Sequence, residues 1–364
     1  MKIGILTFHR AHNYGAVLQC FALNDVVTKL GHQAETIDYR QPEIEKIYKF
    51  HKYLPIRRLL KTCGFCIIEV ICENLNRFKS VLKKKKIYYS FLNKYIKQST
   101  SCNAYQIPFY DCYIIGSDML WSSECMNGHF DKVYQGYFKR SDKSRLVGYA
   151  ISGTPTAFEQ LGKSDNYKHL TNFDAISIRE QLLANVVEKY TNQRIPVCID
   201  PTLLATKETW KIMLNKRWTG RKYIVTYFLR VPMESRLSIT KKMQEVAERE
   251  ACELINLDVS ETAEPIDVED FVSILANSRY TVTDSFHGVV FSTIFHRPFH
   301  AITLNDPQDA RYVDILRTIG LQDAIKSTGQ SLQIPKYNYS HVEERLCKLR
   351  ENSMNFLIQS INDK

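Results

Sequence analysis

The residues best suited to chemistry lie in the segment Thr283-Asp284-Ser285-Phe286-His287-Gly288, between a predicted strand and a predicted helix. Asp284 or Ser285 can cap that helix, whose free N–H groups then form a site for an anion. His287 can donate to a phosphate or carboxylate or transfer a proton near neutral pH. Gly288 leaves room for a ligand to approach. The alternative is that Ser285 only caps the helix and His287 bonds locally.

Three charged residues at other element ends could serve the same site. Arg179 closes a predicted strand and can clamp a phosphate or carboxylate with two hydrogen bonds, or instead pair with Glu180 at the surface. Arg311 begins a later helix and is either a second cation for the anion or a solvated side chain. Asp200 can orient a sugar hydroxyl or act as a base, although Asp-Pro more commonly forms a turn.

Polar residues after two further predicted strands could contact a second substrate, the acceptor. Candidates in the first loop and helix start are His12, Asn13, Tyr14 and Gly15, and those after the strand at 111–116 are Ser117 and Asp118. Loop histidines of this kind are also found as exposed bystanders. Ligands of open parallel sheets bind at the carboxyl ends of the strands, so all these residues are expected near one cleft.

Two α/β halves must position these residues. Apolar runs of strand length alternate with helical patterns, which predicts two Rossmann-like domains facing a cleft, over 1–209 and 210–364. The strands predicted in the first half include 195–200. Residues 41–105 interrupt the alternation as a basic helical insertion, residues 210–221 form the expected linker, and a last helix over 341–358 could pack back on the first half.

The charge balance favours an anionic partner. The 364 residues contain 49 Lys and Arg against 39 Asp and Glu, a formal net charge of +10. A phosphorylated small molecule, an anionic membrane surface or nucleic acid would each suit it, but no RRM, KH or helix-turn-helix signal supports nucleic acid. The insertion, with Lys83-Lys84-Lys85-Lys86, could lie on an anionic membrane or be a solvated helical face.

Several classes of protein lack their motifs here. There is no G-x-G-x-x-G after a strand, no G-x-x-x-x-G-K-[ST] and no Asp-x-Asp, which argues against an ordinary dinucleotide fold, P-loop phosphoryl transfer and a metal-dependent sugar transferase. No signal peptide and no stretch of about 20 apolar residues is found, so a cytoplasmic setting is expected. No metal site and no cofactor are predicted.

Taken together, the motifs resemble the polysaccharide pyruvyl transferase family. They are Asn13-Tyr14-Gly15-Ala16-Val17-Leu18-Gln19, Ile115-Gly116-Ser117-Asp118, Ser177-Ile178-Arg179-Glu180, Asp200-Pro201-Thr202-Leu203-Leu204, and Thr283 to Gly288 with Arg297-Pro298-Phe299. Each is weak alone, but their order and spacing are specific. Position 119 is Met where Gln would be expected, a mild departure.

The resemblance implies a two-domain fold like that of the GT-B glycosyltransferases. It also implies transfer of a pyruvyl group from phosphoenolpyruvate to a sugar of a cell-surface polysaccharide precursor, often lipid-linked, which forms a ketal. Arg179, Arg311 and the helix start at Ser285 would then bind phosphoenolpyruvate, with His287 as the proton-transfer group and Asp200 as a lesser catalytic candidate. The alternative is a metal-independent GT-B glycosyltransferase that uses a nucleotide sugar.

Overall fold

Two five-stranded parallel sheets form the frame of the protein. The computed structural model describes residues 1–47, 66–123, 128–162, 166–257 and 264–363. The first sheet, in the order β2-β1-β3-β4-β5, contains β1 (Lys2–Leu6), β2 (Gln33–Thr36), β3 (Cys112–Ile115), β4 (Arg145–Ile151) and β5 (Ala175–Ile178). The second, in the order β10-β9-β8-β6-β7, contains β6 (Tyr223–Tyr227), β7 (Glu253–Leu257), β8 (Tyr280–Thr283), β9 (Phe299–Thr303) and β10 (Ile325–Ser327).

Helices connect the strands and cover the sheets. In the first half they are α1 (Tyr14–Lys29), α2 (Pro42–Ile47), α3 (Cys66–Tyr95), α4 (Pro155–Gly162), α5 (Gln181–Thr191), α6 (Pro201–Leu204) and α7 (Lys207–Lys211). In the second they are α8 (Met233–Arg249), α9 (Val268–Asn277), α10 (Phe286–Ile294), α11 (Ala310–Thr318) and α12 (Tyr339–Asn362). Every residue of β3, β6 and β8 is buried, as expected for parallel strands covered on both faces.

Two details of the predicted organisation differ from the structure. Residues 195–200 do not form a sheet strand: Val197 makes only an isolated bridge with Ile178, and Asp200 caps α6. The expected linker at 210–221 holds the fully buried Trp210, whose ring packs against Phe21 and Phe291. Of the insertion, the structure describes α2, α3 and the segment after it, and the part at 48–65 lies outside the described residues.

The two halves are held together by specific contacts. The Tyr14 ring, at the start of α1, stacks on Phe271 of α9 with centroids 4.4 Å apart, and its hydroxyl donates to the Ile266 carbonyl. The C-terminal helix α12 packs against β4 of the first sheet, where Arg145 Nε donates to the carbonyl of Ser360. The last helix therefore belongs to the packing of the first half as well as the second.

Two classes of feature are missing from the part of the chain that the structure describes. None of its helices is long and apolar enough to cross a bilayer. Nor does it bring three or more His, Cys, Asp or Glu side chains together as candidate metal ligands.

Candidate active site

A cavity of about 350 Å³ lies between the carboxyl ends of the two sheets. The first sheet contributes Phe8 after β1, Asp118 after β3 and Arg179 after β5, and the second contributes Arg230 after β6, His287 after β8 and Arg311 after β9. This is the place where parallel sheets bind their ligands, and the volume is typical of a small-molecule site. The structure thus brings Arg179, His287 and Arg311 to one cavity.

His287 lines this cavity and has one ring nitrogen without a hydrogen-bond partner. Ser285 caps α10 by accepting from the Gly288 N–H at 3.4 Å, which places His287 in the first turn of the helix. The buried Nε2 of His287 has no hydrogen-bond partner. Burial lowers the pKa of His287 below its usual value, against the opposing effect of the Asp200 and Asp118 carboxylates. The imidazole is therefore neutral at pH 7 and free to accept or donate a proton at Nε2.

Two glycines at the site have packing roles. A Cβ added to Gly15 would lie 1.9 Å from Nδ1 of His287, so this glycine lets the imidazole lie against the start of α1. A Cβ added to Gly288 would lie 2.6 Å from Oγ1 of Thr283. The prediction that Gly288 makes room for a ligand is thus corrected, because it makes room for α10 to pack on the end of β8.

Arg311 is a partly buried cation with no carboxylate partner among the described residues. Its Nε donates to the carbonyl of Gln308 at 3.0 Å, and its remaining contacts are Gln308 Oε1 and the sulfur of Met119, each at 3.3 Å. Burial, together with the neighbouring charges of Arg179 and Arg230, lowers the pKa of Arg311. An anion in the cavity would relieve this electrostatic cost, which makes Arg311 the strongest anion-binding candidate.

Arg230 is a residue of the cavity that the sequence reasoning missed. Its two terminal nitrogens donate to Asp306 and Asp309, whereas its buried Nε has no partner. Asp284 fixes its loop by accepting from the backbone N–H groups of residues 229, 230 and 231, each at 2.6 Å. The signal was available in the sequence, since Arg230 follows its strand much as Arg179 does.

Arg179 lines the cavity but is already engaged by the protein. Its guanidinium donates to Asp200 at 2.6 Å, Glu180 at 2.9 Å and Ser152 at 2.8 Å, and it lies 4.6 Å from the ring centroid of Phe286. The pairing with Glu180 that was an alternative is present, but it is buried and not at the surface. Direct binding of an anion by Arg179 therefore stays a prediction that its three protein bonds weaken.

Asp200 lies behind Arg179 and is not part of the cavity wall. Its Oδ1 accepts from both the backbone N–H and the hydroxyl of Thr202, and its Oδ2 accepts from Arg179 and Ser117. Burial would raise the pKa of this carboxyl, but the Arg179 charge and these hydrogen bonds hold it below the usual value. Asp200 also lines a cavity of about 110 Å³ together with Arg179 and Arg311, so its predicted catalytic role stays a prediction, which its 1% exposure and its bonds within the protein weaken.

Only some of the residues predicted to contact the acceptor line a cavity. Asn13 and Asp118 line the cavity, and His12 lines a smaller cavity beside it. Ser117 is fully buried and donates to the carbonyl of Ala150 at 2.8 Å, so the expectation that it contacts an acceptor is wrong. The Tyr14 ring packs on Phe271 of the second half and also lines the smaller cavity, and Gly15 makes room for the His287 ring.

The fold is shared with enzymes of known structure. The UDP-GlcNAc 2-epimerase of Methanocaldococcus jannaschii has a TM-score of 0.50 and 14% identity, covering 96% of this chain and 92% of its own. The UDP-GlcNAc 2-epimerase of Neisseria meningitidis, whose structure contains UDP-GlcNAc, has a TM-score of 0.50 and 9% identity, covering 100% of both chains. The protein is therefore an α/β protein of two Rossmann-like domains with the GT-B fold, as predicted.

The sequence defines a narrower class of protein than the fold does. The model of the polysaccharide pyruvyl transferase family matches residues 13–306, a range that contains all the motifs quoted for the resemblance. The chain belongs to the polysaccharide pyruvyl transferase family and is a transferase of polysaccharide biosynthesis, which confirms the prediction from the motifs. No curated protein sequence matches the chain significantly.

Proposed function

We propose that the protein transfers the pyruvyl group of phosphoenolpyruvate to a hexose of a lipid-linked polysaccharide precursor. A single observation carries this proposal: donors on the second-domain wall of the cavity lack partners that would match them. Nε of Arg230 and Nε2 of His287 have no hydrogen-bond partner, and Arg311 has no carboxylate partner among the described residues. Buried unpaired donors are costly, and a small ligand with two acidic groups would satisfy them.

Phosphoenolpyruvate carries a phosphate and a carboxylate, which need two groups of donors. Arg311 with Nε of Arg230 would supply one group of donors, and His287 with the first turn of α10 would supply the other. Charge-assisted hydrogen bonds of this kind are roughly twice as strong as neutral ones. Asp118, the acidic residue of the cavity wall, would disfavour the anion on its own side and so orient it.

The reaction needs proton transfers at the substrate. Protonation of the methylene carbon turns it into a methyl group and makes C2 electrophilic, and a sugar hydroxyl then attacks C2 and loses its proton. Phosphate leaves, and a second hydroxyl of the same sugar attacks C2 to close the ketal, with its proton passing to the phosphate. We assign these proton transfers to Nε2 of His287. The ring is neutral in the empty cavity, takes up a proton when the anion binds, gives that proton to the methylene carbon and then takes the proton of the attacking hydroxyl.

The proposed donor is a substrate, and no cofactor or metal is assigned. Donation from two arginines and a helix start stabilises the negative charge that develops on the departing phosphate. These groups are held in place by the protein before substrate binds, since Asp284 fixes the Arg230 loop and Gln308 holds Arg311.

A lipid-linked acceptor would bring the protein to the inner face of the membrane. Helix α3 carries Lys83 to Lys86, and Lys85 and Lys86 are exposed, so this face can contact anionic headgroups. Salt-sensitive binding of the protein to phosphatidylglycerol vesicles tests this contact. Absence of binding at low salt would contradict it.

Phosphate release from phosphoenolpyruvate tests the proposed function. It should be measured over a panel of lipid-linked and aryl galactosides, glucosides and mannosides. Phosphoenolpyruvate should also stabilise the protein against heat, because it binds only the folded state. The competing function, nucleotide-sugar glycosyl transfer, predicts instead that UDP or GDP sugars stabilise the protein and that phosphoenolpyruvate does not. That outcome would overturn the proposal.

A further inference from the structure

Asp118 gives the first-domain wall of the main cavity a negative charge. It lies in the loop after β3 and is the acidic residue among the described residues that line this cavity. Its Oδ1 accepts from the neighbouring Met119 N–H at 2.9 Å, and it forms no ion pair with any described residue. Arg179, in the same wall, already donates to three other side chains. The Asp118 carboxylate therefore keeps the capacity to accept a hydrogen bond from a ligand.

The backbone of Asp118 is held in one conformation. Its φ is 73°, in the left-handed region, which residues other than glycine seldom adopt and which Asp adopts more readily than most. Its carbonyl accepts from the N–H groups of Leu120 at 2.7 Å and Ser152 at 3.0 Å, and the second bond ties the loop after β3 to the loop after β4. The backbone that carries the carboxylate is therefore fixed before a ligand binds, which favours binding.

The charge of Asp118 acts on the groups that we assign to the donor anion. Burial lowers the pKa of His287 and the pKa of Arg311, and the nearby Asp118 carboxylate opposes both effects. An anion held by His287 and Arg311 would be repelled by Asp118, and a second anion beside Asp118 would be repelled more strongly. The ligand group that donates to Asp118 must therefore carry no negative charge.

Asn13 adds donors to the lining of the same cavity. Its Oδ1 caps α1 by accepting from the N–H groups of Gly15 at 2.8 Å and Ala16 at 3.3 Å. The cap fixes the amide, whose NH₂ group donates to none of the described residues. Asn13 and Asp118 thus offer donors and an acceptor, and a hydroxyl group can both accept and donate. The first-domain wall therefore fits a ligand with several hydroxyl groups, such as a sugar.

We propose that Asp118 and Asn13 bind hydroxyl groups of the acceptor sugar, and that Asp118 restricts the acceptor to sugars without an acidic group. This inference rests on the proposed function, because it places the donor anion against the second-domain wall and the acceptor against the first. A uronic acid would bring its carboxylate close to Asp118, where the two like charges would repel each other. A neutral hexose has no such cost.

Asp118→Asn tests the inference, because it keeps the shape of the side chain and removes its charge. Calorimetry should compare an aryl hexoside with the matching aryl uronide, in which a carboxylate replaces the 6-hydroxymethyl group. The variant should bind the hexoside about tenfold more weakly, since it loses a charge-assisted hydrogen bond. It should bind the uronide about tenfold more tightly, since the like charge is gone. A poorly folded variant would instead bind both glycosides more weakly.

Asp142→Asn provides the matched control. Asp142 is an exposed carboxylate of the same domain and does not line the main cavity, so its loss should change either affinity by less than about twofold. The inference would be overturned if Asp118→Asn changed the two affinities in the same direction or not at all. A wild type that binds the hexoside no better than the uronide would overturn it as well.

Phosphoenolpyruvate separates this inference from the proposed function. Asp118→Asn should bind phosphoenolpyruvate about two- to tenfold more tightly than the wild type, because a negative charge near the donor anion is removed. If phosphoenolpyruvate does not bind the wild type, the proposed function fails. The two glycosides, titrated without it, still decide whether Asp118 selects against an acidic sugar.

Discussion

The two walls of the main cavity differ in the partners of their charged residues. On the first-domain wall, Arg179 donates to Asp200, Glu180 and Ser152. On the second-domain wall, Arg230 is also paired with carboxylates, but Arg311 has no carboxylate partner among the described residues and Nε2 of His287 has no hydrogen-bond partner.

This difference separates a scaffold from a binding surface. The two carboxylates that accept from Arg179 fix its position and balance its charge, which weakens its attraction for an anion. Buried donors without partners cost stability in the empty protein and become favourable only when a ligand arrives. We therefore assign anion binding and proton transfer to the second domain, and we assign to Arg179 a part in holding the first-domain wall in place.

The largest effect is expected for His287→Ala. Loss of the group that transfers protons should lower kcat for phosphate release by about 10²–10⁴-fold. The melting temperature should change little, because Nε2 makes no hydrogen bond in the protein. His341→Ala, which removes an exposed histidine at the start of α12, is the matched control and should keep full activity. A kcat within tenfold of wild type for His287→Ala would contradict the assignment.

Asp200→Ala should make the folded protein less stable. Removing one partner of a buried ion pair leaves Arg179 undercompensated, which should lower the free energy of unfolding by about 3–5 kcal/mol in denaturant titrations. Asp25→Ala, which breaks an exposed pair with Lys29, should cost less than about 1 kcal/mol. A stable but inactive Asp200→Asn variant would show instead that this carboxylate takes part in the chemistry, and the contrast between the walls would fail.

The smallest effect is expected from pH. The pKa of His287 lies below its usual value of about 6.5 in the empty protein, and a bound anion favours the protonated ring. Binding should therefore take up a proton, and affinity for phosphoenolpyruvate should rise as pH falls from 8 towards about 6, by up to roughly tenfold for a shift of one unit. The ligand titrates too, so the difference between wild type and His287→Gln is the quantity to measure. Identical pH profiles would contradict this coupling.

The sequence was most informative where local rules decide the structure. Ser285 was a candidate cap because Ser is favoured at the start of a helix, and the structure shows that it caps α10. The motifs around Arg179 and His287 also led correctly to the family and the fold.

The sequence was least informative where partners come from distant parts of the chain. Asp200 and Ser117 were read as substrate contacts, but both are used by a network that joins residues from 117 to 202. Whether Asp200 and Ser117 are buried depends on how the ends of the strands pack together, and no local sequence pattern contains that information. Arg230 is a different case. Its position after a strand was visible in the sequence, but the contacts by which Asp284 fixes its loop are visible only in the structure.

The central claim is that the second-domain cations bind phosphoenolpyruvate. Calorimetric titration of phosphoenolpyruvate into the wild type, Arg311→Ala and Arg317→Ala tests it most directly, since Arg317 is an exposed arginine on the same helix. The account predicts that Arg311→Ala weakens binding by about 10- to 100-fold, the equivalent of about 1.5–3 kcal/mol, and that Arg317→Ala leaves it unchanged. Equal affinity of the Arg311→Ala variant and the wild type would contradict it.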